Sequence, residues 1–164
     1  MTINGRTRGL PLRLGQFSGL VLGVLLALVM LQTPAFGELQ VDAAQGVVSD
    51  SSTGLMWQRY TGNDGKGLTW DEAVSYCKAL TLAGYDDWRL PESKELESII
   101  HHLSYNPVVD TRAFPDTASS GYWSATPYDV NPDYAWRIDF YYVGYVNVSR
   151  KSNLYFVRAV RTQP

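Results

Sequence analysis

The stretch that decides the fold of this chain reads Trp88-Arg89-Leu90-Pro91, followed by Glu92-Ser93-Lys94-Glu95-Leu96-Glu97-Ser98-Ile99-Ile100. Trp88 and Leu90 alternate with Arg89, which is typical of a short buried strand. Pro91 fixes φ near the value that the start of a helix needs. The apolar residues after it recur at helical spacing: Leu96, Ile99, Ile100 and Leu103. The stretch therefore predicts a short buried strand that leads into an amphipathic helix.

The first 37 residues have the pattern of a secretory signal peptide. Three arginines precede an uncharged apolar run over residues 17–31, and the segment ends at Ala35-Phe36-Gly37, with small residues where signal peptidase reads the chain. We predict cleavage after Gly37 and export to the periplasm or the cell surface. The apolar run is shorter than the roughly 20 residues that span a membrane. The chain is therefore expected to meet a membrane only transiently, through the signal peptide, and a retained N-terminal anchor is the alternative.

Cleavage would leave 127 of the 164 residues, which is enough for one domain with its own core. We expect residues 38–46, which are polar and lack periodicity, to be a lead-in segment, and residues 47–164 to form the domain. This part has 11 basic and 16 acidic residues, because the three N-terminal arginines are lost. A net-acidic chain without a run of Lys or Arg argues against nucleic-acid binding.

The first half of the domain predicts a hairpin and then a helix. Residues 47–48 and 55–59 are predicted to be two strand pieces around an Asp-Ser-Ser-Thr-Gly turn. Thr69 and Glu72 have the spacing of a capping box, and Gly84 is expected to end the helical segment. One face of this helix is apolar: Trp70, Ala73, Val74, Cys77 and Leu80. A single cysteine cannot form an intramolecular disulfide, so we interpret Cys77 as a small core residue, with a reactive thiol as the alternative.

The last third of the chain predicts four strands, over residues 122–125, 134–141, 143–149 and 155–161. In the second, apolar residues Trp136, Ile138 and Phe140 alternate with Arg137 and Asp139, the period of a strand with one buried face. Short links between the strands predict antiparallel hairpins. The domain is therefore expected to be α+β, with two helices followed by a meander.

With these elements placed, the chain resembles the Lcl C-terminal domain family, exported bacterial domains of unknown function. The matching residues occur in family order: Thr53-Gly54-Leu55-Met56-Trp57, Trp70 with Ala73, Tyr76 and Cys77, Asp87-Trp88-Arg89-Leu90-Pro91 with Glu95-Leu96, Phe114-Pro115, Tyr122-Trp123-Ser124, Ala135-Trp136, and Val157-Arg158 with Val160-Arg161. The resemblance implies a compact C-type-lectin-like fold, also used by formylglycine-generating enzymes, with two helices packed on a small antiparallel or mixed sheet. It implies binding or adhesion more than catalysis.

Two positions depart from the family pattern. Ala159 stands where members commonly carry a cysteine, which the resemblance pairs with the cysteine equivalent to Cys77. Glu92 stands where a Thr or Ser cap is usual. Structural roles are expected for Trp57, Trp70, Cys77, Trp88, Arg89, Leu90, Pro91, Trp123, Trp136 and Arg158. Arg89, Arg158 and Arg161 are interpreted as holding strands and loops together by hydrogen bonds.

The sequence gives little support to an enzyme, and no cofactor is predicted. Formylglycine-generating chemistry relies on a cysteine pair, which one cysteine cannot supply. Glu92, Glu95 and Glu97 share a solvated helix without an identifiable partner carboxylate. Ser, His and Asp are present, but not in the order or spacing of a known nucleophile motif.

A calcium loop is a weak alternative for one turn. Asp129, Asn131 and Asp133 alternate like the first half of such a loop, but Tyr134 and Phe140 replace its glycine and its bidentate glutamate. We interpret the segment as a polar loop with Asx turns.

The best functional candidate is an aromatic surface with a polar edge, because a tyrosine ring offers a flat apolar face and a hydroxyl to a sugar or peptide. The candidate ligand-binding residues are Tyr128, Tyr134, Arg137, Tyr141, Tyr142, Tyr145, Arg150 and Lys151. About half of the tyrosines are expected in the core. The first hypothesis is a non-catalytic exported binding or adhesion module for a glycan or another envelope component. The alternative is a structural or assembly subunit that binds an envelope protein, and an enzyme is the third.

Overall fold

The computed structural model of the chain describes Met1 and residues 39–164, so the predicted signal peptide lies outside the described residues. Residues 39–164 belong to one compact unit. The elements follow in this order: β1 (Leu39–Asp42), β2 (Val47–Asp50), β3 (Leu55–Gln58), α1 (Gly62–Gly65), α2 (Trp70–Ala79), α3 (Ser93–Ser98), β4 (Gly121–Pro127), β5 (Tyr134–Asp139), β6 (Tyr145–Arg150) and β7 (Val160–Thr162). The predicted α+β class is confirmed.

The strands are divided between two antiparallel sheets. The first has the order β1-β2-β3-β7, and it contains the predicted hairpin as β2 and β3, with Val47 opposite Gln58. The second has the order β4-β5-β6. Part of the predicted lead-in segment is a strand, because β1 pairs with β2 along its whole length. The strand was missed because it lies at an exposed sheet edge, where side chains need no alternation.

The fourth strand of the predicted meander belongs to the other sheet. β7 pairs with β3, with Trp57 opposite Val160. The residues before β7 form single bridges instead of a ladder, Tyr155 with Leu68 and Phe156 with Tyr122. Residues 155–162 therefore connect the two sheets. Alternation in a sequence indicates a strand but does not identify its partner.

Helix α2 begins as predicted and ends earlier. The backbone N–H of Thr69 donates to Glu72 Oε2 at 2.8 Å and its hydroxyl to the same oxygen at 2.7 Å. These hydrogen bonds lower the pKa of Glu72. The helix ends at Ala79, before a turn closed by a bridge between Leu82 and Tyr85. Gly84 serves that turn, with φ of 80°, and does not end the helix.

The stretch around Trp88 forms a single bridge and not a strand. Trp88 and Leu90 are buried as predicted, but only Arg89 pairs, exchanging two backbone hydrogen bonds of 2.9 Å with Val160. α3 has a capping box in which the N–H of Glu92 donates to Glu95 Oε2 at 2.8 Å. The prediction that Leu103 faces the core was wrong, because the helix ends at Ser98 and Leu103 is 92% exposed.

Two core clusters lie on opposite faces of β4. The first contains Tyr122 and the second contains Trp123, the next residue along the strand. The larger members of the first are Trp57, Leu96, Ile99, Phe114, Tyr122, Ile138 and Phe140. The second includes Ala73, Cys77, Trp88, Leu90, Trp123, Val157 and Ala159. Within residues 39–164 the longest helix, α2, has ten residues, and none is long and apolar enough to cross a membrane.

Candidate functional site

The predicted ligand-binding residues other than Arg137 fall on two surfaces at opposite ends of the hairpin formed by β5 and β6. Tyr145 begins β6 and Arg150 ends it. Five steps of roughly 3.3 Å place the backbones of these two residues about 16 Å apart. We call the surface near Arg150 the polar groove and the surface near Tyr145 the tyrosine tip.

The polar groove has a volume of about 580 Å³ and lies between the start of α2 and two turns. Its lining is Asp71, Asn131, Pro132, Asp133, Tyr134, Arg150, Lys151 and Ser152. The N–H of Lys151 donates to the carbonyl of Asp133 at 2.9 Å and joins the two turns. Tyr134 lies opposite Arg150 in the ladder, so the hairpin register sets the walls of the groove.

Both cations of the polar groove lie against aromatic rings. Arg150 Nε donates to the Tyr134 hydroxyl at 3.0 Å, and its guanidinium carbon is 5.8 Å from the ring centroid. This hydrogen bond, together with the nearby Asp133 carboxylate, raises the pKa of Arg150. Lys151 Nζ is 4.3 Å from the centroid of the Trp70 ring. Trp70 is itself held by a 2.8 Å hydrogen bond from Nε1 to the carbonyl of Ser124.

Neither groove cation forms a salt bridge with a described residue. The remaining donors of Arg150 and the ammonium of Lys151 are therefore available for a ligand. The rings beneath them limit the positions that the two side chains adopt.

Three partly exposed aromatic residues lie next to the groove. Tyr128 packs edge-to-face on Trp136 with ring centroids 5.4 Å apart, and its centroid is 6.4 Å from that of Tyr134. The prediction that Trp136 points into the core holds only in part, because its ring is half-buried under Tyr128. Together the rings provide a flat apolar surface beside charged groups, an arrangement suited to a sugar ring.

The loop that carries Asp129, Asn131 and Asp133 is an Asx turn. Asn131 Oδ1 accepts the N–H of Asp133 at 3.0 Å, and the N–H of Tyr134 donates to the carbonyl of Asn131 at 3.1 Å. The amide oxygen of Asn131 is thus engaged by the backbone. In the part of the chain that the structure describes, no three His, Cys, Asp or Glu side chains are grouped as metal ligands.

The tyrosine tip contains Tyr141, Tyr142 and Tyr145 and one tyrosine that the sequence did not reveal, Tyr105. All four are exposed. Tyr105 packs edge-to-face on Tyr142 with centroids 5.4 Å apart. The neighbouring hydroxyls of Tyr141 and Tyr105 lower the pKa of Tyr142. The pKa of Tyr141 is raised by the Tyr142 hydroxyl, and that of Tyr105 by desolvation and then by the same hydroxyl. Tyr105 lies in an irregular loop far along the chain from Tyr142, so no local pattern could have indicated the contact.

The tip is fixed to the body of the domain by a close packing contact. Gly144 has φ of 78°, and a Cβ at this position would lie 2.6 Å from Ile100 Cδ1. The N–H of Val108 also donates to the carbonyl of Phe140 at 3.0 Å. Glycine is therefore needed both for the turn and for the approach of the hairpin to residues 100–108.

Arg137 belongs to neither surface. Its Nε donates to the Ser149 hydroxyl at 2.9 Å and its Nη1 to Asp139 Oδ2 at 2.8 Å. The guanidinium carbon is 4.5 Å from the centroid of the Tyr155 ring. The structure therefore places this candidate inside the hairpin, where its donors join β5 to β6.

The arginines interpreted as structural form hydrogen bonds and ion pairs within the domain. Arg89 pairs with Glu95 at 2.6 Å, and Arg161 Nε donates to Asp87 Oδ1 at 2.6 Å. The hydrogen bond from Arg161 lowers the pKa of Asp87. Arg158 is fully buried. Of the other residues expected to be structural, these are buried: Trp57, Cys77, Trp88, Leu90, Pro91 and Trp123.

β6 is an edge strand of its sheet, but part of its edge is occupied. Asn147 Oδ1 accepts the N–H of Val148 at 2.8 Å. A side chain that takes a backbone donor in this way makes an edge less able to add a strand from another molecule. This contact counts against assembly by strand addition along β6.

Comparison with known families gives a match over the same elements. The family model described as the Lcl C-terminal domain matches residues 46–161, which include β2 and the hairpins, helices and sheets that follow. A comparison with curated proteins found no match. The matched residues include both core clusters and the stretch around Trp88. The chain belongs to the Lcl C-terminal domain family.

Proposed function

We propose that this domain is a non-catalytic binding or adhesion module that works outside the cytoplasm and recognises a glycan through the polar groove. The observation that carries the proposal is the placement of Arg150 and Lys151 on the rings of Tyr134 and Trp70. Two oriented cations with unused donors, next to partly exposed aromatic rings, suit a ligand that has both a flat apolar face and acidic groups.

The charges of the polar groove indicate which class of glycan it would bind. Arg150 and Lys151 face two carboxylates, those of Asp71 and Asp133, across the same groove. The cations match carboxylate or sulfate groups, and the carboxylates accept hydrogen bonds from sugar hydroxyls. An acidic saccharide that retains free hydroxyls uses all four groups, whereas a uniformly charged polymer would be repelled by the two carboxylates.

The Cys77 thiol is buried and the Glu95 carboxylate is ion-paired, which supports a role without catalysis. Burial raises the pKa of Cys77 to about 12, so its thiol stays protonated at neutral pH. Burial acts to raise the pKa of Glu95, but hydrogen bonds from Arg89 and Glu92 outweigh it and keep the carboxylate ionised. A protonated thiol and an ion-paired carboxylate are poor nucleophiles or acids.

The location and the finer fold of the domain are part of the same proposal. Export rests on the N-terminal pattern of residues 1–37, and the C-type-lectin-like architecture rests on the family resemblance. Three short helices with two small antiparallel sheets are compatible with that architecture.

The test is a screen of the purified protein on an array of acidic and neutral glycans, followed by calorimetry on the strongest acidic hit. We expect Arg150→Ala to weaken binding roughly tenfold, because the variant loses a charge-assisted hydrogen bond to an acidic group of the glycan. Lys94→Ala is the matched control, since Lys94 is an exposed cation on α3 away from the groove. Chelator should leave the affinity unchanged.

Absence of glycan binding at micromolar protein would contradict the proposal. Equal losses in Arg150→Ala and Lys94→Ala would show general charge attraction instead of recognition by the groove. A pull-down from envelope extract that survives in Arg150→Ala would favour the alternative of a subunit bound to an envelope protein.

A further inference from the structure

The tyrosine tip combines strong exposure with a complete lack of charge. Leu103 is 92% exposed, Tyr105 70%, Val143 61% and Tyr145 58%. No charged residue occurs in residues 103–109 or 140–149, the two segments that meet there. Exposed apolar groups concentrated in one place mark an interaction surface.

Contacts within the domain hold the tyrosine tip in place without a partner. Tyr105 packs on Tyr142 across the two segments, and Gly144 lies directly against Ile100. Both segments are thereby held in one position by the body of the domain. A rigid surface loses little conformational freedom on contact, which favours binding even when each side chain contributes modestly.

β1 begins on the same side of the domain as the tip. Leu39 of β1 lines a groove together with Ile100, the residue on which Gly144 packs. Seven residues separate Leu39 from the end of the apolar run at Leu31. Seven residues reach at most about 25 Å. In the alternative in which residues 17–31 are retained as an anchor, their contact with a bilayer would bring the tip within reach of the same bilayer.

We propose that the tyrosine tip is a membrane-contact surface that inserts its tyrosine rings and Val143 into the interfacial region of a bilayer of uncharged, zwitterionic lipid. Tyrosine suits this region because its ring is apolar and its hydroxyl stays among the headgroups. The lipid is specified as uncharged because residues 39–164 carry 11 basic and 15 acidic residues, and an acidic domain is repelled by anionic headgroups. The contact is independent of the polar groove, which lies at the other end of the hairpin.

The experiment measures co-sedimentation of residues 36–164 with phosphatidylcholine vesicles. This fragment is the compact unit that contains both core clusters, and it lacks the apolar run that could itself bind lipid. We expect partitioning that is insensitive to salt and weaker on vesicles containing phosphatidylglycerol. Val143→Asp should lower the partition coefficient about tenfold, since a charge replaces an inserted apolar group.

Val130→Asp is the matched control, because Val130 is 81% exposed near the polar groove and the substitution adds the same charge. It should partition like the unchanged fragment, and Leu103→Asp should behave like Val143→Asp. The proposal is overturned if the fragment does not sediment with phosphatidylcholine, or if Val130→Asp and Val143→Asp lose partitioning equally. It is also overturned if light scattering shows a dimer that Val143→Asp dissociates, which would make a second copy of the chain the occupant.

Discussion

Arg158 shows at the scale of one residue how this small domain tolerates a buried charge. Its side chain is fully buried between two aromatic rings, 4.6 Å from the centroid of Phe114 and 5.8 Å from that of Tyr122. Nη1 donates to the carbonyls of Gln58 and Arg59, and Nη2 donates to the Thr117 hydroxyl at 2.9 Å. Burial lowers the pKa of Arg158, so these hydrogen bonds and the Asp116 carboxylate must compensate for lost hydration.

We predict that Arg158→Met lowers the free energy of unfolding by roughly 3 kcal/mol, because two buried carbonyls and one hydroxyl would lose their donor. Arg158→Lys should also be destabilising, since a single ammonium cannot reproduce the planar fork of a guanidinium. Urea denaturation followed by tryptophan fluorescence measures both. Arg150→Ala is the control, and we expect it to leave the free energy of unfolding nearly unchanged because the site is exposed. If Arg158→Met changed the free energy of unfolding as little as Arg150→Ala, the prediction would be contradicted.

At the scale of elements, α2 and the C-terminal segment meet in the second core cluster. Cys77 of α2 and Ala159, the residue before β7, are both fully buried there. The family resemblance pairs cysteines at these two positions. The structure explains why this chain manages without the bridge, because a free thiol and a methyl group fill the same cluster.

A cysteine introduced at position 159 tests whether the side chains at positions 77 and 159 meet. We predict that Ala159→Cys forms a disulfide with Cys77 in oxidising buffer and stabilises the domain by at most about 4 kcal/mol, from the entropy of closing a long loop in the unfolded chain. Free-thiol titration in urea and Tm with and without reductant provide the measurement. Ala159→Ser, which adds similar volume without a thiol, serves as the control. Two titratable thiols after oxidation would show that the side chains do not meet.

Elements defined by local chemistry were predictable from the sequence. The capping box of Thr69, the β2–β3 hairpin and the inward face of α2 each depend on residues a few positions apart. Their geometry is set by hydrogen bonds and periodicity that the sequence displays directly. The assignment of Arg158 to a structural role was also possible, although its partners were not.

Pairings between distant segments were not predictable. β7 joins β3 and not β6, and residues 39–42 form a strand only because the β2 edge receives them. The candidate site shows the same limit. One group of aromatic and basic residues along the chain is divided in space, with Tyr134 and Arg150 at one end of a hairpin and Tyr142 at the other. Alternation along a strand shows which side chains share a face. It does not show which loop packs against either end of the strand.

At the scale of the whole molecule, stability in acid depends on carboxylates spread over one strand, two helices and two loops. Five carboxylates have a lowered pKa: Asp50, Glu72, Asp87, Glu95 and Asp110. Burial alone would raise the pKa of Asp50, but hydrogen bonds from Ser52 and Thr53 outweigh it. At Asp110 the principal cause is the hydrogen bond from Arg112. In each case the folded state holds the ionised form more strongly than the unfolded state does.

The sign of the pH dependence follows from these directions. A carboxyl group whose pKa is lower in the folded state stabilises the fold fully above its unfolded pKa, which is 3.8 for Asp and 4.5 for Glu. As the pH falls through the unfolded and then the folded value, the unfolded chain binds more protons and that stability is lost. We therefore predict a Tm that is nearly constant from pH 6 to 8 and decreases steadily below about pH 4.5.

The variant Asp50→Asn tests the contribution of one of these carboxylates to stability. The Asp50 side chain accepts the Ser52 N–H at 2.9 Å and the Thr53 hydroxyl at 2.8 Å, in the turn between β2 and β3. At pH 7 the variant should be less stable by about 1–2 kcal/mol, since a neutral amide accepts these hydrogen bonds less strongly. The difference should shrink as the pH falls below 3.8, because Asp50 of the unchanged protein becomes protonated, first in the unfolded and then in the folded state. Thermal denaturation of both proteins across this range measures the difference, and one that stays constant with pH would show that the charge of Asp50 does not stabilise the turn.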